Sequence, residues 1–501
     1  MKNFRIYDLY TPFRNKLRRV NTFDSLYVFW AFSRNFSFGN PLPENIDIPA
    51  GYQFNADINS RRHFGMPEQE IEFLIKEVII HGSNLNTKTS LRQKSELAKV
   101  VNYLRFKLKE EISKMTVSEK TEDFLFEFNR MAHNQFLWQL GHNNNIIFRY
   151  FKIYSDIKVK KLVEEKFDLT VFQIFLIGFA LFVVTGKNFR TKYPYLSHVD
   201  VISTEMIQKF FNHFSMSYEE AQKQLLENQK INENLLYTYN PLRAKPILIF
   251  EETFLCPIPL LIFWQFTSGL YYSIVNEKNF QNAFGNAFEK YIGEVLSKAV
   301  TRTDIYILPE AQYGKGKKTT DWILADNNTI VFFECKSKRM TMASKTEADI
   351  QVSLVNDIRH MAKFVVQVYK TYIDFKNGLY PHISYEATQR FIPIVLTLEN
   401  WFININPRIM QMLNNFVLEI FDLENIDKTL LDKFPYQIIS TDDFENHIQL
   451  INHFGLTYYF DKRTKNELVE LTQNFKFDIV FGDEFESTFL EPLKLATDKT
   501  Q

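Results

Sequence analysis

The sequence predicts mixed α and β structure: a mostly helical N-terminal half, then a core whose elements run α-β-β-β-α-β around a mixed central sheet. Three observations predict it. Apolar residues recur at helical spacing before residue 240, prolines cluster just after it, and short strand-like runs lie between two amphipathic helices from 276 to 400. A chain of 501 residues is too long for one ordinary core. The expected division is 1–240, a junction at 241–275, the core at 276–400, and an α/β extension of uncertain role at 401–501.

In the first part, residues 70–80 (EIEFLIKEVII) and 90–115 read as helices. In the second of these Leu91, Leu97, Val100, Val101, Leu104 and Leu108 share helical spacing, and Asn86, Thr87 and Ser90 offer caps. The most apolar run, 171–184 (VFQIFLIGFALFVV), is too short to span a bilayer comfortably and contains Gln173, so it reads as a buried helix. In NPLRAKPILIFEETFLCPIPLLIFWQF the prolines separate short apolar runs, which predicts extended segments and turns.

The core opens with Phe280, Phe284, Phe288, Tyr291, Ile292, Val295 and Leu296, one face of an amphipathic helix. Strands follow at 304–308 (DIYIL), stopped by Pro309, at 319–325 (TTDWILA) after a YGKGKK turn, and at 329–336 (TIVFFECK). A helix over about 347–375 carries Gln351, Val355, Ile358, Ala362, Val365, Tyr369 and Tyr372 on one face, and a strand at 391–398 (FIPIVLTL) completes the order. The last hundred residues mix helix (NPRIMQMLNNFVLEIF) and strand (PYQIIS), either as part of the same sheet or as a separate unit.

Composition narrows the function. Lys and Arg number 59, as do Asp and Glu, so nucleic-acid contact needs a local basic patch rather than a general excess. Cys256 and Cys335 are the only cysteines, which excludes a disulfide framework or a cysteine-based zinc site and suits a reducing cytoplasm. The first residues lack the apolar core of a signal peptide, and no membrane partner is expected. YGKGKKTT is no phosphate-binding loop, because its first glycine is missing and a strand follows.

The chemistry concentrates at the end of 329–336. Alternation places Ile330, Phe332, Glu334 and Lys336 on one face and Val331, Phe333 and Cys335 on the other, so an apolar central strand ends in a carboxylate and an ammonium on one side. Asp321, thirteen residues earlier on the neighbouring strand, can approach Glu334 across the hairpin. Two carboxylates in a dry site repel each other, and a hard divalent cation removes the penalty; Mg²⁺ is the first choice, with Mn²⁺ as a substitute.

This order of elements, with TTD at 319–321 and ECK at 334–336, resembles the PD-(D/E)XK nuclease superfamily, which includes restriction endonucleases. The resemblance implies a restriction-endonuclease-like core and Mg²⁺-dependent hydrolysis of phosphodiester bonds in DNA, with RNA left open. It implies that Asp321 and Glu334 hold the metal, that the Cys335 carbonyl adds a further ligand, and that Lys336 is the base positioning the attacking water. Glu289, in FGNAFEKYIGEVL, matches the glutamate that many members add from the first helix, and Gly285 one turn earlier would let the sheet approach closely. Thr320 stands where the family name has proline. A looser likeness to restriction and phage-defence proteins makes the helical half a recognition or partner-binding domain, with a homodimer or protein partner expected.

The triplet alone is weak, since Asp156-Ile157-Lys158, Glu164-Glu165-Lys166 and Asp374-Phe375-Lys376 also fit it, but only Glu334 ends an apolar strand. Lys315, Lys317, Lys318, Lys338, Arg339 and Lys345 bracket the site as a candidate phosphate-binding patch, with a solvated loop as the plain alternative. Gln351 is a possible accessory group or a surface residue. The competing function is a nuclease-fold protein that binds nucleic acid or a partner without cutting.

Overall fold

The computed structural model describes residues 6–46, 66–85, 89–113, 129, 131–133, 144–192, 202–341, 345, 350–465, 467–472 and 475–491, with backbone alone for 144, 233, 234, 350, 351, 405 and 470. Before residue 240 the described chain is mostly helical. Helix α1 (Glu68–His81) covers the predicted 70–80 and carries several buried acids, each matched: Glu70 by Arg105 and Lys109, Glu72 by Arg243 and Asn240. The predicted helix at 90–115 begins at Lys94, runs to Tyr103 and continues as a π-helical turn, Leu104–Lys109. Its candidate caps Asn86 and Thr87, and residues 114–115, lie outside the described residues. Ser90 does not cap it; the hydroxyl donates to Asp24 instead.

Helix α2 (Asn144–Ser155) and α3 (Val171–Lys187) form the centre of this half. The Thr170 hydroxyl and Gln173 side chain complete a capping box at the start of α3, so the one polar residue near the head of the apolar run serves the helix N-terminus. Most of α3 is buried in the protein, and among the described residues no single helix is long and apolar enough to cross a membrane.

The junction is less extended than its prolines suggested. Four short strands, β1 (Arg190–Lys192), β2 (Ser215–Ser217), β3 (Ile247–Phe250) and β4 (Thr253–Leu255), pair in the order β1-β4-β3-β2. Beyond them, Leu260–Phe266 and Leu270–Ile274 are helical. Pro257 and Pro259 precede the first turn, where a missing N–H is tolerated. The apolar run then packs on α3, with Phe263 against Phe182 and Phe266 against Phe175, both at ring distances of 5.4 Å.

The second half is built on one mixed sheet. Its elements are α4 (Phe280–Ala299), β5 (Tyr306–Pro309), β6 (Trp322–Ala325), β7 (Thr329–Lys336), α5 (Ile350–Lys376), β8 (Arg390–Thr397), α6 (Pro407–Leu423), β9 (Gln437–Ser440) and α7 (Thr441–His447). The strands lie in sequence order, β5 to β9; the first three are antiparallel and β7, β8 and β9 are parallel. The residues after 400 therefore extend the sheet. The expected YGKGKK turn is the tip of a small hairpin, Gln312–Tyr313 against Lys317–Lys318, where Gly314 and Gly316 adopt φ of 54° and 80°.

The alternation read from the sequence decides what each face covers. Ile330 and Phe332 join Val395 and the apolar stripe of α5 in one core, closed over by α6. Val331 and Phe333 face the other way, into a core shared with α4, α2 and α3. Helix α4 covers this face of the sheet, and α2 packs on α4 from the far side.

Candidate active site

The register of β6 on β7 pairs Trp322 with Phe333. Continued by one step, it sets Asp321 opposite Glu334, as the hairpin length suggested. Asp321 sits just ahead of β6, and its Oδ2 accepts the Cys335 amide at 2.6 Å. Glu334 is 2% exposed. Its Oε1 accepts from Lys336 Nζ at 2.5 Å and from Gln367 Nε2 at 2.6 Å. Thr320 Oγ1 donates to the Phe333 carbonyl at 2.7 Å and lies 3.4 Å from Glu334 Oε2. A proline at 320 could make neither contact.

Electrostatics follow from this crowding. Burial, then the adjacent Glu334, pushes Asp321 up to about 7. Burial also raises Glu334, although Lys336 opposes the shift. Glu289 rises to about 7, through burial and then the charges of Asp321 and Glu310. Burial would lower Lys336, but Glu334 and Asp321 outweigh it and hold the ammonium charged. Lys336 also lies 5.1 Å from the Phe364 ring.

These groups suit a hard cation by their chemistry: buried carboxylates that raise one another's pKa, with no sulfur or imidazole donor among them. As arranged, they do not form a finished cage. Among the described residues no group of three or more His, Cys, Asp or Glu side chains is gathered to hold a metal ion, and the Glu334 oxygen nearest Lys336 is already occupied.

Other candidates lie where the sequence did not put them. Gly285 is not the point of close approach, since a Cβ there would sit at an ordinary 3.5 Å from Ser337 Oγ. Gly293, two turns later, is the tight position: a Cβ would overlap the Trp322 ring, whose indole N–H donates to the Glu289 carbonyl at 3.0 Å. The side chain of Gln351 lies outside the described residues. Gln367, sixteen positions along the same helix, is the amide that reaches Glu334.

The basic residues divide. Lys315 is exposed on the hairpin tip, Lys317 pairs with Asp374, Lys318 pairs with Glu310, and Lys338 is part-buried. Arg339 and Lys345 do not belong to a surface patch. After β7 the chain turns inward, so Arg339 is 5% exposed and bonds to Ser268 O and Tyr150 Oη, while Lys345 is buried against Glu399. The three decoy triplets are also accounted for: Asp156 caps a helix, Glu164-Glu165-Lys166 lies within it, and Asp374 accepts from Tyr313 at the end of α5. No protein-family model matches the chain, and no curated protein or solved structure is significantly similar to it.

Proposed function

We propose that the chain is a metal-dependent nuclease with a restriction-endonuclease-like core, hydrolysing phosphodiester bonds in DNA. The opposition of buried Asp321 and Glu334 beside Lys336, at the end of a central strand, carries this reading. Asp321 and Glu334 would hold Mg²⁺ or Mn²⁺, with Glu289 and the Cys335 carbonyl as further oxygen donors. When bound, the cation supplies charge stabilisation at the phosphate undergoing attack. Lys336 Nζ donates a hydrogen bond that keeps the attacking water in line, and Gln367 fixes the carboxylate of Glu334. Glu289, whose carboxyl is raised to about 7 by burial and the charges of Asp321 and Glu310, would be held ionised by a bound cation and serve as an oxygen donor. The helical half then serves recognition or partner binding.

A second reading, binding without cutting, is favoured by the closed contact of Lys336 and Gln367 on Glu334. Purified protein incubated with plasmid, single-stranded DNA and RNA, in Mg²⁺, Mn²⁺ or EDTA, separates the two. The nuclease reading expects metal-dependent cutting that disappears in Asp321→Ala and Lys336→Ala while both variants stay folded. Cutting that survives both substitutions removes this site from the reaction. Absence of cutting together with absence of Mn²⁺ binding by calorimetry leaves the binding reading.

A further inference from the structure

A second polar site lies on the same sheet. The segments that follow the C-terminal ends of β7, β8 and β9, the last of them the first turn of α7, bring Arg339, Glu399 and Asp442 to the wall of a cavity of about 350 Å³, bounded on its other side by α1, α2 and residues 236–244. Asp321, Glu334, Lys336 and Glu289 do not line it. The carboxyl ends of parallel strands are the usual place for ligands in such sheets. The volume falls at the lower end of the roughly 300–1,000 Å³ found for small-molecule sites.

The lining is strongly cationic for a buried space. Lys76, Arg149, Arg243, Arg339 and Lys345 face three carboxylates, Glu72, Glu399 and Asp442. Three of the cations are neutralised: Arg149 by Asp442 and Glu445, Arg243 by Glu72, and Lys345 by Glu399. The other two bond directly only to neutral oxygens, although Lys76 lies in the fields of Glu72 and Glu77 and Arg339 lies over the rings of Tyr150, Tyr271 and Tyr272. Lys76 Nζ donates to the Thr238 carbonyl and hydroxyl at 2.8 and 3.1 Å, and Arg339 to Ser268 and Tyr150. Neither forms an ion pair with a carboxylate among the described residues. Buried charges in this state are costly unless an anion joins them.

Two further observations point to a ligand. His133, 3% exposed on the cavity wall, has no hydrogen-bond partner at either ring nitrogen among the described residues, and Arg339 Nε is likewise unpartnered. Beside these donors the cavity presents the rings of Tyr239 and Tyr272, 43% and 39% exposed. Arg339 lies over the Tyr272 ring at 5.3 Å, so that ring and the exposed Tyr239 stand beside the donors, and the combination suits a molecule with a phosphate at one end and a planar ring at the other.

We propose that this cavity binds a small phosphorylated ring compound of nucleoside-monophosphate size, with its phosphate toward Lys76, Arg339 and His133 and its ring on Tyr239 and Tyr272. The proposal does not rest on the cleavage reading. It is tested on the full chain in EDTA, by calorimetry and thermal melting, with AMP, GMP, CMP and UMP as probes and adenosine and inorganic phosphate as controls. The expected result is saturable one-to-one binding of at least one monophosphate with a rise in melting temperature, and at least tenfold weaker binding of both controls. Lys76→Met and Arg339→Gln should each weaken binding tenfold or more. Tyr239→Ala removes a partly exposed ring, so it decides the matter should the buried variants fail to fold. The proposal is overturned if no monophosphate binds, if adenosine binds as well as AMP, or if folded variants bind like wild type.

Discussion

The substitution Asp321→Asn should make the metal-free protein more stable at alkaline pH. The introduced amide keeps an oxygen to accept the Cys335 N–H but carries no charge opposite Glu334. Asp321 is held near 7 against an ordinary 3.8, a difference of about three pH units, or roughly 4 kcal/mol at 1.36 kcal/mol per unit. Because the folded pKa lies above the unfolded one, the folded protein keeps a proton that the unfolded chain has lost between about 4 and 7. Stability from this group is therefore present below pH 4 and drains away as pH rises through 7. The asparagine variant has no such slope. Glu334 and Glu289 absorb part of the effect, so the gain should be about 2–4 kcal/mol at pH 8 and much smaller at pH 5. Urea unfolding in EDTA at both pH values, followed by tryptophan fluorescence, measures it, and Trp322 beside the substituted residue reports the local environment. A variant less stable than wild type at pH 8, or an equal gain at both pH values, would refute the argument. Added Mn²⁺ at a thousand times its Kd should cancel or reverse that gap, since it stabilises wild type by about 4.1 kcal/mol and the variant hardly at all.

Two other predictions test how the site is supported. Gln367→Leu removes an amide donor to the buried Glu334, a hydrogen bond to a charged group of about 1.5–3 kcal/mol, so the metal-free protein should lose up to about that much stability and single-turnover cleavage by the folded variant should fall roughly 10- to 100-fold. Equal rates in variant and wild type would show that the contact has no bearing on the reaction. Gly293→Ala should destabilise by roughly 1–3 kcal/mol because its methyl overlaps Trp322, whereas Gly285→Ala should be neutral or gain up to about 1 kcal/mol from helix propensity. Thermal melts that rank the two in the opposite order would contradict the packing of α4 on the sheet.

Much of the sheet could be read from sequence because its strands are buried on both faces. The run 329–336 coincides with β7, and 391–398 differs from β8 by one residue at each end, since unbroken apolar runs leave few other registers. Asp321 and Glu334 were legible for the same reason: each interrupts such a run. Gln367 was not, because a polar residue off the apolar stripe of a long helix reads like any solvated side chain. Glycines were ambiguous for a similar reason, as spacing near Glu289 favours Gly285 while only the position of Trp322 singles out Gly293. Arg339 and Lys345 misled because charge clustering in sequence carries no sign of whether a loop runs outward or folds back beneath the strand ends. Prolines at 257 and 259 signalled a break but not that helices resume after it.

The contact between the two ends of the protein bears on how it is made. Arg149 on α2 is bracketed by Glu445 and Asp442 of α7, and Glu445 also accepts from Tyr291 of α4. The arginine leaves the ribosome 296 residues before Glu445. At roughly 5–20 residues per second that interval is about 15–60 s. Until the carboxylates arrive, a guanidinium that ends up buried has to stay hydrated, which holds the helical half open. The core over the sheet can close around this arginine only once residues 442–445 have been synthesised, which ties the burial of the helical half to the last strand of the sheet.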